Sequence, residues 1–314
     1  MNGWLFAIVQ TLCVVFFAPF MAGLVKWMKC KLQNRQGPPP WQPYRNLLKL
    51  SRKQVVLADT ASFVFRIAPY VVFSVTIVAV SVVPVISVQL PTAALADVIV
   101  LVGFLSLARF FLSLAGMDVG TSFGGMGSSR EVTISSLAEP ALLMAFFTLA
   151  MNASSTNVST VIAHLSQGSL ILYPSLIFSS LGLILVAIAE TGRIPIDNPA
   201  THLELTMIHE AMILEYSGRH LALMEWAAML KLTLYSLLIV NLIVPLGVAL
   251  TLRPGDLLLG AVSVSCKLLL LALFLAVVET AQAKMRLFRA PQYLGLAFIL
   301  SLLGMMSHII LEVR

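Results

Sequence analysis

Eight ionisable side chains stand inside or at the border of long apolar runs: Arg66, Arg109, Glu139, Glu190, Glu225, Lys231, Lys267 and Glu279. A charge at mid-bilayer costs about 2.5–3.5 kcal/mol even on a lenient insertion scale, so such groups turn toward a bundle interior and toward one another. Two chemistries are open to them. Mutual ion pairing would only orient helices. A proton relay would use the fact that a buried carboxyl is driven toward neutrality, where it exchanges protons at working pH. Glu139, next to Pro140 and between Leu137 and Leu142, is the foremost relay candidate. Lys231 and Lys267 would donate or hold a counter-charge, while Arg66 and Arg109 are placed to snorkel toward the headgroups. A second concentration of acids lies between residues 190 and 225. There Asp197, Glu204, Glu210 and Glu215 stand between Glu190 and Glu225, six of the fourteen acids of the chain. Asn198 followed by Pro199 reads as an N-cap with proline at the first helical position. The helix expected after it carries His202, Thr206, His209 and Glu210 on one face and Leu203, Met207, Ala211 and Leu214 on another, an amphipathic helix at the membrane surface or beneath the bundle.

Several other chemistries are excluded by spacing. His209-Glu210 begins a zinc-protease pattern, but Ile213 stands where its second histidine is needed. The glycines of 120–127 follow no strand of a βαβ unit, which argues against nucleotide binding and for a flexible turn. Cys13, Cys30 and Cys266 form no Cys-x-x-Cys pair, so this chain is expected to hold no iron–sulfur cluster or structural zinc.

The elements that must position these residues are membrane helices. Of 314 residues 59% are hydrophobic and only 11% charged, against about a quarter charged in soluble domains. A hydrocarbon core needs roughly 20 apolar residues per helix. Eight stretches meet that length: Trp4–Val25, Val64–Val88, Leu95–Ala115, Val132–Met151, Leu170–Ala189, Trp226–Leu250, Leu257–Ala281 and Gln292–Leu311. The expected fold is therefore all-α, a single polytopic domain over 1–314 with about eight transmembrane helices. The net charge of +6 is distributed by topology. Loops 26–63 (loop one), 116–131, 190–225 (loop five) and 282–291 carry fourteen basic residues, eight of them in the first, and the loops on the opposite side carry Arg253 alone. The positive-inside rule puts those four loops in the cytoplasm and both termini outside. The basic surplus thus gives no reason to expect a nucleic-acid partner.

Residues Glu190-Thr191-Gly192-Arg193-Ile194-Pro195-Ile196-Asp197, with Glu215-Tyr216-Ser217-Gly218 further on, resemble the signature of the complex I subunit 1 family, which joins the membrane arm to the peripheral arm. Asn34-Arg35-Gln36-Gly37-Pro38, Trp41-Gln42-Pro43 and Leu48-Lys49-Leu50 are similar to the family's first cytoplasmic loop, and Gly127-Ser128-Ser129-Arg130 leading to Glu139 resembles the start of one of its helices. The resemblance covers nearly the whole chain. Quinone-reducing members carry acids at three, five and seven residues beyond the aspartate; here Ala200, His202 and Glu204 occupy those positions. About three extra residues before Glu215, which bring Glu210, and the run Thr201-His202-Leu203-Glu204-Leu205 are similar instead to energy-converting nickel–iron hydrogenases of the formate hydrogenlyase and hydrogenase-4 kind.

That resemblance implies a non-catalytic membrane anchor in a bacterial or archaeal cytoplasmic membrane. Its implied partners are soluble hydrogenase large and small subunits, a ferredoxin-like iron–sulfur subunit and antiporter-like membrane subunits, with the nickel–iron centre and the clusters held by those partners. Arg35, Arg45 and Arg130 are the residues expected to dock them. Asp197, Glu204, Glu210 and Glu215 would take protons at the junction and Glu139 would pass them inward, with Glu190, Glu225, Lys231, Lys267 and Glu279 completing the route. Arg193 is expected to pair with one of Asp197, Glu204, Glu210, Glu215 and Glu139 and to orient the loop. A quinone-binding complex I subunit and a purely structural anchor remain open; a stand-alone transporter lacks the internal inverted repeat that such folds show. The charge asymmetry makes a direct prediction. In intact cells, cysteines substituted at Ser154 and Ser217 should differ in reaction with an impermeant thiol reagent. Ser154→Cys is expected to label and Ser217→Cys to stay protected; the reverse pattern would invert the topology.

Overall fold

A computed structural model describes residues 3–167, 173–197, 207–251, 253–283, 285 and 287–312. The helices in chain order are α1 (Gly3–Leu32), α2 (Gln42–Ser51), α3 (Phe63–Val82), α4 (Val98–Asp118), α5 (Ser122–Asn152), α6 (Val158–Gln167), α7 (Pro174–Glu190), α8 (His209–Ile213), α9 (Gly218–Ile243), α10 (Pro254–Ala281) and α11 (Ala290–Ser307). Among the described residues 7 helices are long and apolar enough to cross a membrane, and α7, with 17 residues, is the shorter eighth. Each of the eight apolar stretches of the sequence overlaps one of these helices. The bundle is a curved row in which α11, α7, α5, α4, α3, α9, α1 and α10 each pack on the next, and α7 also reaches α9. Exposed aliphatic side chains such as Leu258, Leu259 and Val262 of α10 cover its outside, as expected where lipid replaces water.

Two spans stop earlier than their apolar runs. Pro84 and Pro245 end α3 and α9, since proline can neither donate to nor continue a helix, and the residues beyond are non-helical. The freed backbone is satisfied by its neighbour: Val88 N donates to Ala249 O (3.2 Å) and Ala249 N to Ile86 O (2.9 Å). Asn241 Nδ2 donates to Pro84 O (2.9 Å), Gln10 Oε1 accepts from Ile86 N (3.2 Å), and Lys267 Nζ caps α9 by donating to Val244 O (2.7 Å). These polar residues stand within apolar helices because irregular backbone at membrane depth requires partners.

At the loop-five side the sequence reading needs two corrections. Of the glycines of 120–127, Gly124, Gly125 and Gly127 do not lie in a flexible turn, because α5 begins at Ser122, with Thr121 Oγ1 accepting from Gly124 N (3.3 Å). At Gly124 and Gly127 the lack of a side chain serves close packing. A Cβ on Gly127 would lie 2.9 Å from Ile208 O and from Ala211 Cβ. Arg109 does not snorkel; it is 5% exposed in the bundle interior. Of the amphipathic helix expected after Asn198, residues 198–206 lie outside the described residues, and α8 is the described helical part, with Ala211, Met212 and Ile213 buried. The close approach at Gly127 gives a prediction. Gly127→Val should lower thermal stability by about 1–3 kcal/mol through overpacking. Gly125→Ala should be neutral or stabilising, since nothing lies within 4 Å of its Cβ position. Thermal unfolding of the two purified variants compares them directly.

Candidate functional site

The interior charges converge on Arg109 of α4. One of its terminal nitrogens donates to Glu190 at the end of α7, and Nη2 donates to Glu139 Oε1 of α5 at 2.9 Å. Lys231 of α9 approaches the other Glu190 oxygen at 3.0 Å. Four helices are therefore tied through two cations and two carboxylates. The Glu190 side chain is 1% exposed, and Tyr235 is buried beside it. Glu139 keeps 36% side-chain exposure, so it forms the outer end of the chain of charges.

Loop five closes over this group. Asp197 is 3% exposed, and its Oδ2 accepts from Ile208 N (3.3 Å) and His209 N (3.4 Å). Arg130 Nη1 donates to Met207 O (3.0 Å), and Met285 N donates to Pro195 O (2.8 Å). Arg193 is paired with Glu279 of α10, whose other oxygen takes Lys29 Nζ of α1 at 2.8 Å. Arg193 therefore pairs with an acid of α10 rather than with one of the acids expected of it from the sequence.

A cavity of about 70 Å³ lies beneath the loop, with Arg109, Glu131, Glu190, Asp197, His209 and Lys231 among its polar lining. That volume holds several waters, each needing about 10–15 Å³. A second cavity of about 260 Å³ is lined by Arg193, Asp197, His209, Glu210 and Glu225. Thr191, Gly192, Asp197, His209 and Ala228 line both, so the two adjoin. Burial, opposed by the Glu210 carboxylate, holds the His209 imidazole below its ordinary range. It is neutral at pH 7, with one acceptor and one donor nitrogen.

Glu139, Glu190, Asp197 and Lys231 thus gather at one site, with Glu210 and Glu225 at its entrance and Glu279 behind Arg193. Glu215 is exposed, and Glu204 lies outside the described residues. Lys267 of α10 is apart, its amine donating to the end of α9. Arg35 and Arg45 are exposed, whereas Arg130 is engaged inside the chain. Sequence reasoning missed Glu131, which it left at the edge of a loop. The early start of α5 places it on a helix, three residues before Ile134 on the same cavity wall. Its spacing of eight from Glu139, near two full turns, was the available signal. Among the described residues no group of three His, Cys, Asp or Glu is disposed to hold a metal ion.

The family model described as NADH dehydrogenase matches residues 5–309. Formate hydrogenlyase subunit 4 of Escherichia coli K12 is 31% identical over 303 residues, covering 96% of this chain and 98% of the relative. Hydrogenase-4 component C of the same organism is 32% identical, covering 96% and 94%. A subunit of the NADH-quinone oxidoreductase of Salinibacter ruber is 26% identical over 221 residues, covering 67% and 63%. A chain of the membrane-bound sulfane sulfur reductase, an archaeal respiratory membrane complex, shares the fold with a TM-score of 0.79 at 18% identity, covering 98% of this chain and 99% of its own.

The geometry around Arg109 predicts an asymmetric response to mutation. Arg109→Leu leaves Glu190 and Glu139 short of a cation, and breaking a buried pair costs about 3–5 kcal/mol. Removing both charges of the inner pair, as Arg109→Leu with Glu190→Leu, should recover part of that loss. Thermal unfolding of the single and double variants measures the difference.

Proposed function

This chain belongs to the NADH dehydrogenase family, in its complex I subunit 1 type, and on that basis we propose that it is the ion-translocating membrane anchor of a nickel–iron hydrogenase complex of the formate hydrogenlyase or hydrogenase-4 kind. The observation that carries the reading is the continuity of titratable groups at the site. Among the described residues Arg109, Glu131, Glu190, Asp197, His209 and Lys231 line one water-sized cavity, and Glu139 joins them through Arg109. Such a set can pass protons from one group to the next. Protons enter at Glu210 and Glu225 in the larger cavity, cross at Asp197 and neutral His209, and reach Glu131 and Glu190 through water in the smaller one. Glu139 delivers them along α5. Arg109 and Lys231 hold Glu190 in place between the helices they join.

Redox chemistry belongs to the soluble partners. The likeness along nearly the full chain to hydrogenase-associated relatives, against two thirds for the quinone oxidoreductase relative, supports hydrogenase rather than quinone partners. The larger cavity, about 260 Å³, is also smaller than the roughly 300–1,000 Å³ of ordinary ligand pockets. Loop five and exposed Arg35 form the docking face, and Arg130 serves it indirectly by holding Met207.

Two variants test the relay. Glu139→Gln and Glu131→Gln should keep assembly and dye-linked hydrogenase activity, because the soluble chemistry is untouched. Hydrogen-linked acidification by inverted vesicles should fall at least about tenfold, a barrier change of roughly 1.4 kcal/mol, and Glu139→Asp should recover part of it. Normal pumping at normal turnover in both Gln variants removes them from the route. For docking, Arg35→Glu is expected to release the soluble subunits from washed membranes at moderate salt; unchanged retention would reduce loop one to a topology determinant.

A further inference from the structure

Helix α2 lies where the bilayer ends. At 1.5 Å per residue the 30 residues of α1 extend about 45 Å, against a hydrocarbon core of about 30 Å. The apolar part of α1 ends at Val25, and Lys26, Lys29 and Lys31 follow it. Loop one folds back onto this boundary. A Cβ on Gly23 would lie 2.0 Å from Pro40 O and 3.0 Å from Pro43 Cδ, so the glycine admits the start of α2 at the last apolar turn of α1. The Tyr44 hydroxyl then donates to Phe16 O, still deeper along α1.

Around its axis α2 presents three sectors. Leu47 is buried toward the bundle, where α2 packs on α9. Trp41, Tyr44 and Leu48 form an exposed apolar sector, at 54%, 36% and 55% exposure. It continues the outer stripe of α1, where Leu12 and Phe16 are 49% and 59% exposed. Beside it Arg45, Lys49 and Arg52, spaced by four and three, form an exposed basic sector. Asp59, seven residues beyond Arg52, is the one acid between residues 26 and 63, so loop one sets eight basic residues against a single carboxylate. A soluble partner would leave Trp41 and Leu48 at acyl depth without a role. Aromatic residues at headgroup level, an apolar edge facing the chains and cations one step outward are what an interfacial helix needs.

We propose that α2 is an interfacial helix that binds anionic phospholipid headgroups through Arg45, Lys49 and Arg52, with Trp41 and Leu48 seated among the acyl chains. The site thereby pins loop one against the leaflet on its side of the membrane. The inference is independent of the hydrogenase reading and moves Arg45 from protein docking to lipid contact.

The test uses the purified, delipidated membrane complex titrated with brominated phosphatidylglycerol or brominated phosphatidylcholine. Quenching of Trp41 fluorescence is read as the difference from a Trp41→Phe complex. Phosphatidylglycerol should quench at much lower concentration than phosphatidylcholine, and the preference should shrink at high salt. A basic residue near an anionic surface contributes about fivefold in affinity, so Arg45→Gln with Lys49→Gln and Arg52→Gln should weaken the phosphatidylglycerol midpoint by at least about tenfold. The charge-retaining set Arg45→Lys, Lys49→Arg and Arg52→Lys should keep it, which separates charge from misfolding. Equal quenching by both lipids, an unchanged midpoint in the Gln set, loss of binding in the charge-retaining set, or release of soluble subunits with lipid binding intact would each overturn the proposal.

Discussion

Ionised groups withdrawn from water must be compensated by groups withdrawn with them, and the interior of this bundle is arranged around that constraint at Arg109. Its guanidinium is planar and presents several donors in fixed directions, so it serves Glu190 and Glu139 from two helices at once. A lysine there would reach only one side with the same geometry. Lys231 then completes Glu190 from α9. The positions of α4, α5, α7 and α9 are in this way set partly by charge, which matters in a bilayer because lipid tails give helices no hydrophobic drive toward one another.

The same constraint applies to backbone. Where prolines end α3 and α9 within the membrane, Gln10, Asn241 and Lys267 are committed to the exposed carbonyls and amides. Lys267 is informative because sequence placed it with the relay. A lysine in an apolar helix looks alike whether it serves a carboxylate or the carbonyl end of another helix. Only the early termination of α9 distinguishes the two, and it follows from Pro245, some twenty residues away in sequence. Glu279 likewise reads as one more buried acid. Held between Lys29 and Arg193, it fastens loop five to α1 and α10.

Helix number and the membership of the central cluster were legible because apolar length and misplaced charge are local signals. Glu139, Glu190 and Lys231 stand out against apolar surroundings, and the bundle does bring them together. Glu131 did not stand out, because its neighbours Arg130, Ser129 and Ser128 read as loop. Helix α2 was hidden for a related reason: Pro39, Pro40 and Pro43 suggest an extended segment, yet Pro43 sits in the first turn, where a helix tolerates it. In both cases a polar segment was folded against the bundle by contacts distant in sequence, at Gly127 and at Gly23.

These contacts tie loop five to the elements around it. It is held from three directions: by Arg130 of α5 on Met207, by Glu279 of α10 on Arg193, and by Met285 on Pro195. Asp197 and His209 lie between those attachments and line both cavities. A displacement of α10 or of the start of α5 would pull on loop five while leaving Arg109 with Glu190, which belong to the rigid bundle. In the proposed relay the step between the cavities is therefore the part tied most directly to α10 and to the start of α5, whereas the Arg109 cluster is held wholly by the bundle helices.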